Sequence, residues 1–378
     1  MELPENLNRK IESCKQDNLF KKLLVFNNLI DFSSNDYIGF SKSETLFKHT
    51  HAYLLENEIF QNGATGSRLL TGNHSLYQIA ESYIAEFHEA EAALIFNSGY
   101  NANLGFFSAI PQENDVVLYD ELCHASIKDG IAMSRAKSHH FIHNDIEDLE
   151  NHILKFPHTT IYIVTESVFS MDGDCPNLEE LIQLSEKYNC YLVVDEAHAL
   201  GVFGEKGEGL TQYLQLHNKI FARIVSFGKG LGCQGAAILG SISLREYLIN
   251  FARSFIYTSA LSPHSVATIF TAYQQLETEK GAIEKLRQNI VFFNQQKNLL
   301  GLKPMFVHSK SPIHSAIVPG NENVKKLTQQ LHDKGFDIQS VLSPIVPEGQ
   351  ERLRFCIHNY NSQEEINEVL ELVRDFVF

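Results

Sequence analysis

Short apolar runs recur along the first two-thirds of the chain, separated by stretches long enough to hold a helix. Residues 92–96 (Ala-Ala-Leu-Ile-Phe), 116–119 (Val-Val-Leu-Tyr), 160–164 (Thr-Ile-Tyr-Ile-Val), 191–194 (Tyr-Leu-Val-Val) and 224–227 (Ile-Val-Ser-Phe) show little polar alternation. They predict parallel strands buried on both faces. Residues 81–91 and 178–188 place apolar side chains at helical spacing, and the second stretch predicts a crossover helix. After Pro263 the texture changes. A helical stretch over 265–300 leads to short strands near 315–318 and 352–357, with amphipathic helices at 323–334 and 363–376. The pattern predicts an α/β protein with a mostly parallel sheet between helices and a smaller α+β C-terminal domain. The expected division is an N-terminal segment, 1–45, packed on the small domain, a large domain over 46–262 and the small domain over 263–378.

A chain of 378 residues exceeds one ordinary core, which agrees with two domains. Its 44% hydrophobic and 20% charged residues are globular values, and a formal net charge of −15 disfavours nonspecific contact with nucleic acid or an anionic membrane. No run approaches 18 apolar residues and the start is not basic, so the expected location is the cytoplasm. The cysteines at 14, 123, 175, 190, 233 and 356 show no CxxC spacing, predicting reduced thiols and no zinc site. Seventeen histidines are scattered without a metal-binding pattern, and His139-His140 reads as a solvated pair.

Candidate chemistry concentrates in two segments. Residues 226–232 read Ser-Phe-Gly-Lys-Gly-Leu-Gly, some thirty residues after residues 191–198, Tyr-Leu-Val-Val-Asp-Glu-Ala-His. A lysine among glycines with no periodic pattern is placed for chemistry rather than for covering apolar surface. Lys229 suits Schiff-base formation with pyridoxal phosphate, which needs an unprotonated amine. Asp195, ending an apolar run, suits the pyridinium nitrogen, and His198 the ring hydroxyl. Taken singly, the lysine could be a surface residue and the aspartate a helix cap. Val-Val-Asp-Glu-Ala-His also occurs in nucleotide hydrolases, but those need a Gly-x4-Gly-Lys-Ser/Thr loop, and the chain has none.

Further motifs carry a family resemblance. Residues 35–39 (Asn-Asp-Tyr-Ile-Gly), 66–74 (Gly-Ser-Arg-Leu-Leu-Thr-Gly-Asn-His), 97–103 (Asn-Ser-Gly-Tyr-Asn-Ala-Asn), 120–126 (Asp-Glu-Leu-Cys-His-Ala-Ser) and 166–174 (Glu-Ser-Val-Phe-Ser-Met-Asp-Gly-Asp) occur in order. The chain resembles the α-oxoamine synthases from about residue 30 to 360. The resemblance implies a fold-type I pyridoxal phosphate enzyme with a seven-stranded sheet, joining an amino acid to an acyl thioester with loss of carbon dioxide. The segments 227–237 and 67–74 are similar to the branch that takes L-alanine and a pimeloyl thioester carried by coenzyme A or an acyl carrier protein. The 2-amino-3-ketobutyrate ligase, serine palmitoyltransferase and 5-aminolevulinate synthase branches are the alternatives within the family. Outside it stand a fold-type I aminotransferase and a non-catalytic subunit, and the second would lack Lys229.

The resemblance also implies roles. Ser98, Gly99 and Tyr100 open a helix whose N-terminus suits a phosphate. Ser170 and Ser226 lie near the cofactor, and Thr258 and Ser259 reach the phosphate of a second subunit, implying a homodimer with shared sites. His124 stacks on the ring, and Glu166 lies near the ring hydroxyl and Asn35. Arg354 anchors the amino acid's carboxylate, because a guanidinium fork binds it through two donors. Arg352, two residues earlier on the strand, is read as a surface residue. Asn35, Ile345 and Lys21 complete the substrate set. Lys21 stands where that branch often has arginine, and lacks the fork. Tyr77 stands where many members have histidine, and a core aromatic on a helix over 76–87 is an equally good reading.

Overall fold

The computed structural model of the chain describes residues 3–16, 19–20, 23 and 28–378. Its strands are β1 (Ile30–Asp31), β2 (Ala92–Phe96), β3 (Val116–Asp120), β4 (Lys137–Phe141), β5 (Ile161–Glu166), β6 (Tyr191–Asp195), β7 (Ala222–Ser226), β8 (Ala236–Gly240), β9 (Ile313–Ile317), β10 (Phe336–Asp337), β11 (Gln339–Val341) and β12 (Arg352–Cys356). Seven of them form one sheet in the order β2-β8-β7-β6-β5-β3-β4. Only β8 runs against its neighbours.

The apolar runs became buried strands of this sheet, since β2, at one edge, and β5 and β7, inside it, are buried along their whole length. Of this sheet's strands, β4 and β8 are absent from the expected runs, and β4 carries no hydrophobic pattern. Lys137, Ser138, His139 and His140 are exposed and only Phe141 is buried. An edge strand with one partner tolerates polar side chains, which also protect it from further pairing. The His139-His140 pair is thus exposed as expected, but on a strand.

The expected crossover helix forms at Leu178–Tyr188 for local reasons. Asn177 caps it by accepting from the Glu180 N–H, Glu179 and Glu180 occupy the positive end, Lys187 the negative end, and Asn189 takes the left-handed conformation that stops it. The helix expected at 81–91 lies earlier, at Ser75–Phe87. The long stretch over 265–300 is two helices, Pro263–Thr278 and Lys280–Leu299, because Glu279 leaves the helical region at ψ 57°.

The C-terminal unit is an antiparallel sheet in the order β11-β12-β9. Apolar faces of helices Asn321–Asp333 and Gln363–Val377 join its core, and the second helix starts with a reciprocal Ser362–Glu365 cap. The chain just before residue 40 is fastened to this unit. β1 pairs with β10, Cys356 N–H donates to the Phe32 carbonyl at 2.8 Å, and Asn359 N–H donates to the Tyr37 carbonyl at 2.9 Å. These bonds bring Asn35 and Tyr37 beside β12.

Candidate active site

In an open parallel sheet, the C-terminal strand ends face a common crevice. β5, β6 and β7 end on Glu166, Asp195 and Ser226, and Glu166 and Asp195 are direct register partners. Both carboxyls are buried. Asp195 accepts from the Asn103 side-chain amide at 2.8 Å and the Ala197 N–H at 2.9 Å. Glu166 accepts from the His124 N–H at 2.6 Å. Burial, then the neighbouring Asp195 charge, raise the Glu166 pKa above the ordinary carboxyl range.

Lys229 sits in the turn between β7 and β8. The turn is closed by Gly232 N–H to the Lys229 carbonyl at 2.8 Å and by Cys233 N–H to the Phe227 carbonyl at 2.8 Å. Gly230 has to be glycine for space, since a Cβ there would collide with the Leu200 carbonyl oxygen. Gly230→Ala is therefore expected to cost about 1–3 kcal/mol through forced backbone movement, read as a lower urea midpoint at unchanged slope.

The Lys229 amine lies 2.7 Å from His198 Nε2, and His198 Nδ1 lies 2.7 Å from the Tyr37 hydroxyl. Among the described residues no carboxylate pairs with this amine. Burial lowers its pKa, with Asp195 and Glu166 acting in the opposite direction. Burial, then the Lys229 and Arg354 charges, hold His198 well below the usual histidine range. The result is an amine whose pKa is lowered beside a neutral imidazole.

His124 follows β3 and caps helix Ala125–Met133, its Nδ1 accepting from the Ser126 N–H. Ser98 caps helix Gly99–Ala109 by accepting from Asn101 N–H at 3.1 Å, and Gly99 faces the Ser226 hydroxyl. Tyr100 is exposed, its hydroxyl bonded to Asp129. Asn97 donates to the Ser259 carbonyl and, at 3.5 Å, to the Thr258 hydroxyl, which fixes that segment beside the same helix start.

Arg354, on β12, reaches the cluster from the C-terminal unit. Its Nε donates to the Ser170 carbonyl at 2.7 Å, one Nη to Asn35 Oδ1 at 3.0 Å, and the other Nη to Cys356 Sγ at 3.0 Å. Asn35 Oδ1 also accepts from the Tyr37 hydroxyl at 3.1 Å. No carboxylate pairs with Arg354 among the described residues, so donor capacity remains on a largely enclosed cation. Ser170 contributes its backbone oxygen here.

Three expectations are corrected or left aside. Arg352 is buried, not on the surface, because Asp172 in the loop after β5 forms an ion pair with it. Ile345 is 59% exposed on a turn after β11, with no hydrogen bond to the cluster among the described residues. Lys21 lies outside the described residues. Tyr77 is a core residue whose hydroxyl accepts from the Leu261 N–H at 2.8 Å, and the Arg68 guanidinium lies 3.8 Å above its ring. Its aromatic face suits that cation, which Glu81 also holds. Sequence reasoning missed Asn103, Ser126 and Tyr37 as parts of the site, although each lies in a quoted motif. A buried asparagine on the apolar face of a helix was the available signal.

A phosphorylated, electron-poor ring with a carbonyl would meet matching groups here. There is an amine of lowered pKa with no paired carboxylate among the described residues, a buried carboxylate already held by two donors, a flat imidazole, and a helix start flanked by hydroxyls. The chain belongs to the aminotransferase class I and II family, whose model matches residues 27–373, and within it to the α-oxoamine synthases. It is a pyridoxal phosphate-dependent acyltransferase of fold type I. An 8-amino-7-oxononanoate synthase from Emericella nidulans is 37% identical over 387 residues, covering 95% of this chain and 92% of that protein. The solved 8-amino-7-oxononanoate synthase from Francisella tularensis is 29% identical with a TM-score of 0.79, covering 92% of this chain and 98% of the other. A serine palmitoyltransferase from S. paucimobilis, solved with a PLP–myriocin aldimine, is 25% identical with a TM-score of 0.89, covering 98% and 96%.

Proposed function

We propose that this enzyme condenses L-alanine with a pimeloyl thioester, releasing carbon dioxide and the free carrier to form 8-amino-7-oxononanoate for biotin synthesis. The observation that carries the amino-acid half is the convergence of the Lys229 amine, the Asp195 carboxylate and the incompletely paired Arg354 guanidinium. The acyl half rests on the similarity to the 8-amino-7-oxononanoate synthases, at 37% identity over nearly the whole chain.

Bound pyridoxal phosphate supplies an electron sink for negative charge developing at the amino acid's α-carbon. Lys229 would hold it covalently, Asp195 would keep its ring nitrogen protonated, His124 would cover its face, and His198 and Glu166 would lie toward its hydroxyl. Ser98, Gly99, Tyr100, Ser170 and Ser226 complete the proposed cofactor set. In the reaction Lys229 takes and returns the α-proton, and burial favours this by disfavouring its ammonium form. Arg354, backed by Asn35, orients the amino acid's carboxylate. His124 donates a hydrogen bond to the same region when carbon dioxide departs.

Thr258 and Ser259 are proposed to complete the phosphate site of a second copy. Support comes from the exposed aromatic beside them in the chain, Tyr257, 74% exposed. A homodimer with shared sites follows, and dilution to monomer should release cofactor. An acyl carrier protein is a second possible carrier beside coenzyme A. A cytoplasmic setting goes with thioester substrates of this kind, and among the described residues no helix is long and apolar enough to cross a membrane.

The deciding experiment offers alanine, glycine and serine against pimeloyl, acetyl, succinyl and palmitoyl thioesters, with mass detection of product and measurement of carbon dioxide. Alanine with pimeloyl thioester is expected to be preferred. Preference for serine with palmitoyl thioester would replace this reading by the palmitoyltransferase one, which the higher TM-score favours. Amino transfer without carbon dioxide would mean an aminotransferase.

Arg354→Ala is expected to weaken alanine binding by roughly 2–5 kcal/mol, the cost of a buried charge-assisted pair, while covalent cofactor attachment persists. Arg354→Lys should recover only part, since an ammonium lacks two parallel donors. Alanine titrations followed in the visible spectrum check this, and an unchanged dissociation constant would move the carboxylate site elsewhere.

A further inference from the structure

A hydrogen-bonded chain runs from the buried Asp195 to the exposed His124. Asn103, 2% exposed on helix Gly99–Ala109, gives its side-chain N–H groups to Asp195 Oδ2 at 2.8 Å and to Ser126 Oγ at 3.0 Å. Ser126, fully buried, has its Oγ 2.7 Å from His124 Nδ1, and its backbone N–H lies 3.2 Å from the same nitrogen.

The proton positions along this chain follow from donor and acceptor chemistry. The Asp195 carboxylate accepts only, so the Asn103 amide has to present its NH₂ to it, and the same NH₂ then faces Ser126. With its oxygen accepting from Asn103, the serine hydroxyl has one proton to give, and His124 Nδ1 is at hand. The Ser126 backbone N–H is a donor that cannot reverse, and it points at that nitrogen as a helix cap. A proton on Nδ1 would set N–H against N–H at the positive end of a helix.

We propose that Asn103 and Ser126 are positioning residues that lock His124 as its neutral tautomer with the proton on Nε2. That nitrogen has no hydrogen-bond partner among the described residues, so His124 offers a fixed N–H donor on its open side. The proposal rests on the reading of His124 as the group facing cofactor and substrate. The chain couples the donor to Asp195, since the carboxylate that fixes Asn103 also serves the ring nitrogen in that reading. Burial and the Lys229 charge lower the His124 pKa, which agrees with a neutral ring.

The test is a long-range ¹H–¹⁵N correlation spectrum of the ¹⁵N-histidine-labelled holoenzyme near pH 7, with His124 assigned by the loss of its signals in His124→Gln. A protonated, pyrrole-type Nε2 and a bare, pyridine-type Nδ1 are expected. An Nδ1–H form or an imidazolium would overturn the proposal. Ser126→Ala should give mixed tautomers and lower kcat by about tenfold with little change in KM, and Asn103→Ala should do so to a smaller extent. A Ser126→Ala enzyme with unaltered His124 signals and kcat would remove the positioning role. If that variant does not fold, the wild-type spectrum decides alone. The spectrum needs no substrate, so a different amino acid or acyl preference leaves it standing. A failed site reading would show instead as His124 signals insensitive to cofactor binding.

Discussion

Replacing Lys229 by alanine is expected to lower turnover by at least about 10⁴, more than any other single change, because one group serves two roles in the proposed chemistry. Its amine is the attachment point for cofactor and the base that exchanges the α-proton. Nothing nearby substitutes well. His198, 2.7 Å away, is held neutral but is itself tied to Tyr37, and Glu166 is engaged by the His124 N–H. The phosphate and ring contacts remain in the variant, so cofactor should bind without covalent attachment. Borohydride treatment followed by peptide mass analysis should therefore label Lys229 in the wild type and nothing in the variant. Turnover within about tenfold of wild type would transfer the base role to another residue.

Asp195→Asn is expected to slow exchange of the alanine α-proton by roughly 10² to 10⁴ while alanine affinity changes little. The electrostatic part is the loss of the charge that would hold a proton on the ring nitrogen. A second part is local. Each Asp195 oxygen already accepts a hydrogen bond, one from Asn103 and one from Ala197. Whichever way an asparagine turns, its NH₂ faces one of these donors, at a cost of about 1–3 kcal/mol. Deuterium exchange from solvent measures the first part and thermal unfolding the second. An exchange rate equal to wild type would show that ring-nitrogen protonation does not depend on this carboxylate.

The apolar runs at 92–96, 116–119, 160–164, 191–194 and 224–227 were legible because strands covered by helices on both faces need side chains that bury on both sides, at the covered edge strand β2 as in the interior. Asp195 stood out for the same reason, as it ends an apolar run, whereas Glu166 and Ser226 were reached through the family resemblance. Helix 178–188 was legible because its caps and end charges are local. β4 was not, since an edge strand with exposed Lys137 to His140 has no pattern to read. Nor was the break at Glu279, which interrupts a continuous helical periodicity.

Sequence alone therefore determined the class of fold, through runs and spacings within a few residues, and held the lysine, aspartate and histidine motifs that carried the family resemblance. The tertiary structure decided what those side chains touch. Pairing β5 with β6 set Glu166 against Asp195, and anchoring residues 30–37 on β12 carried Asn35 and Tyr37 to Arg354. It also buried Arg352 on Asp172 and joined Asn103, Ser126 and His124 into one chain of hydrogen bonds. Apart from the local Ser126–His124 and Tyr37–Asn35 bonds, such contacts join residues from about twenty to more than three hundred positions apart. They depend on strand order and packing, which no local pattern of apolar and polar residues encodes.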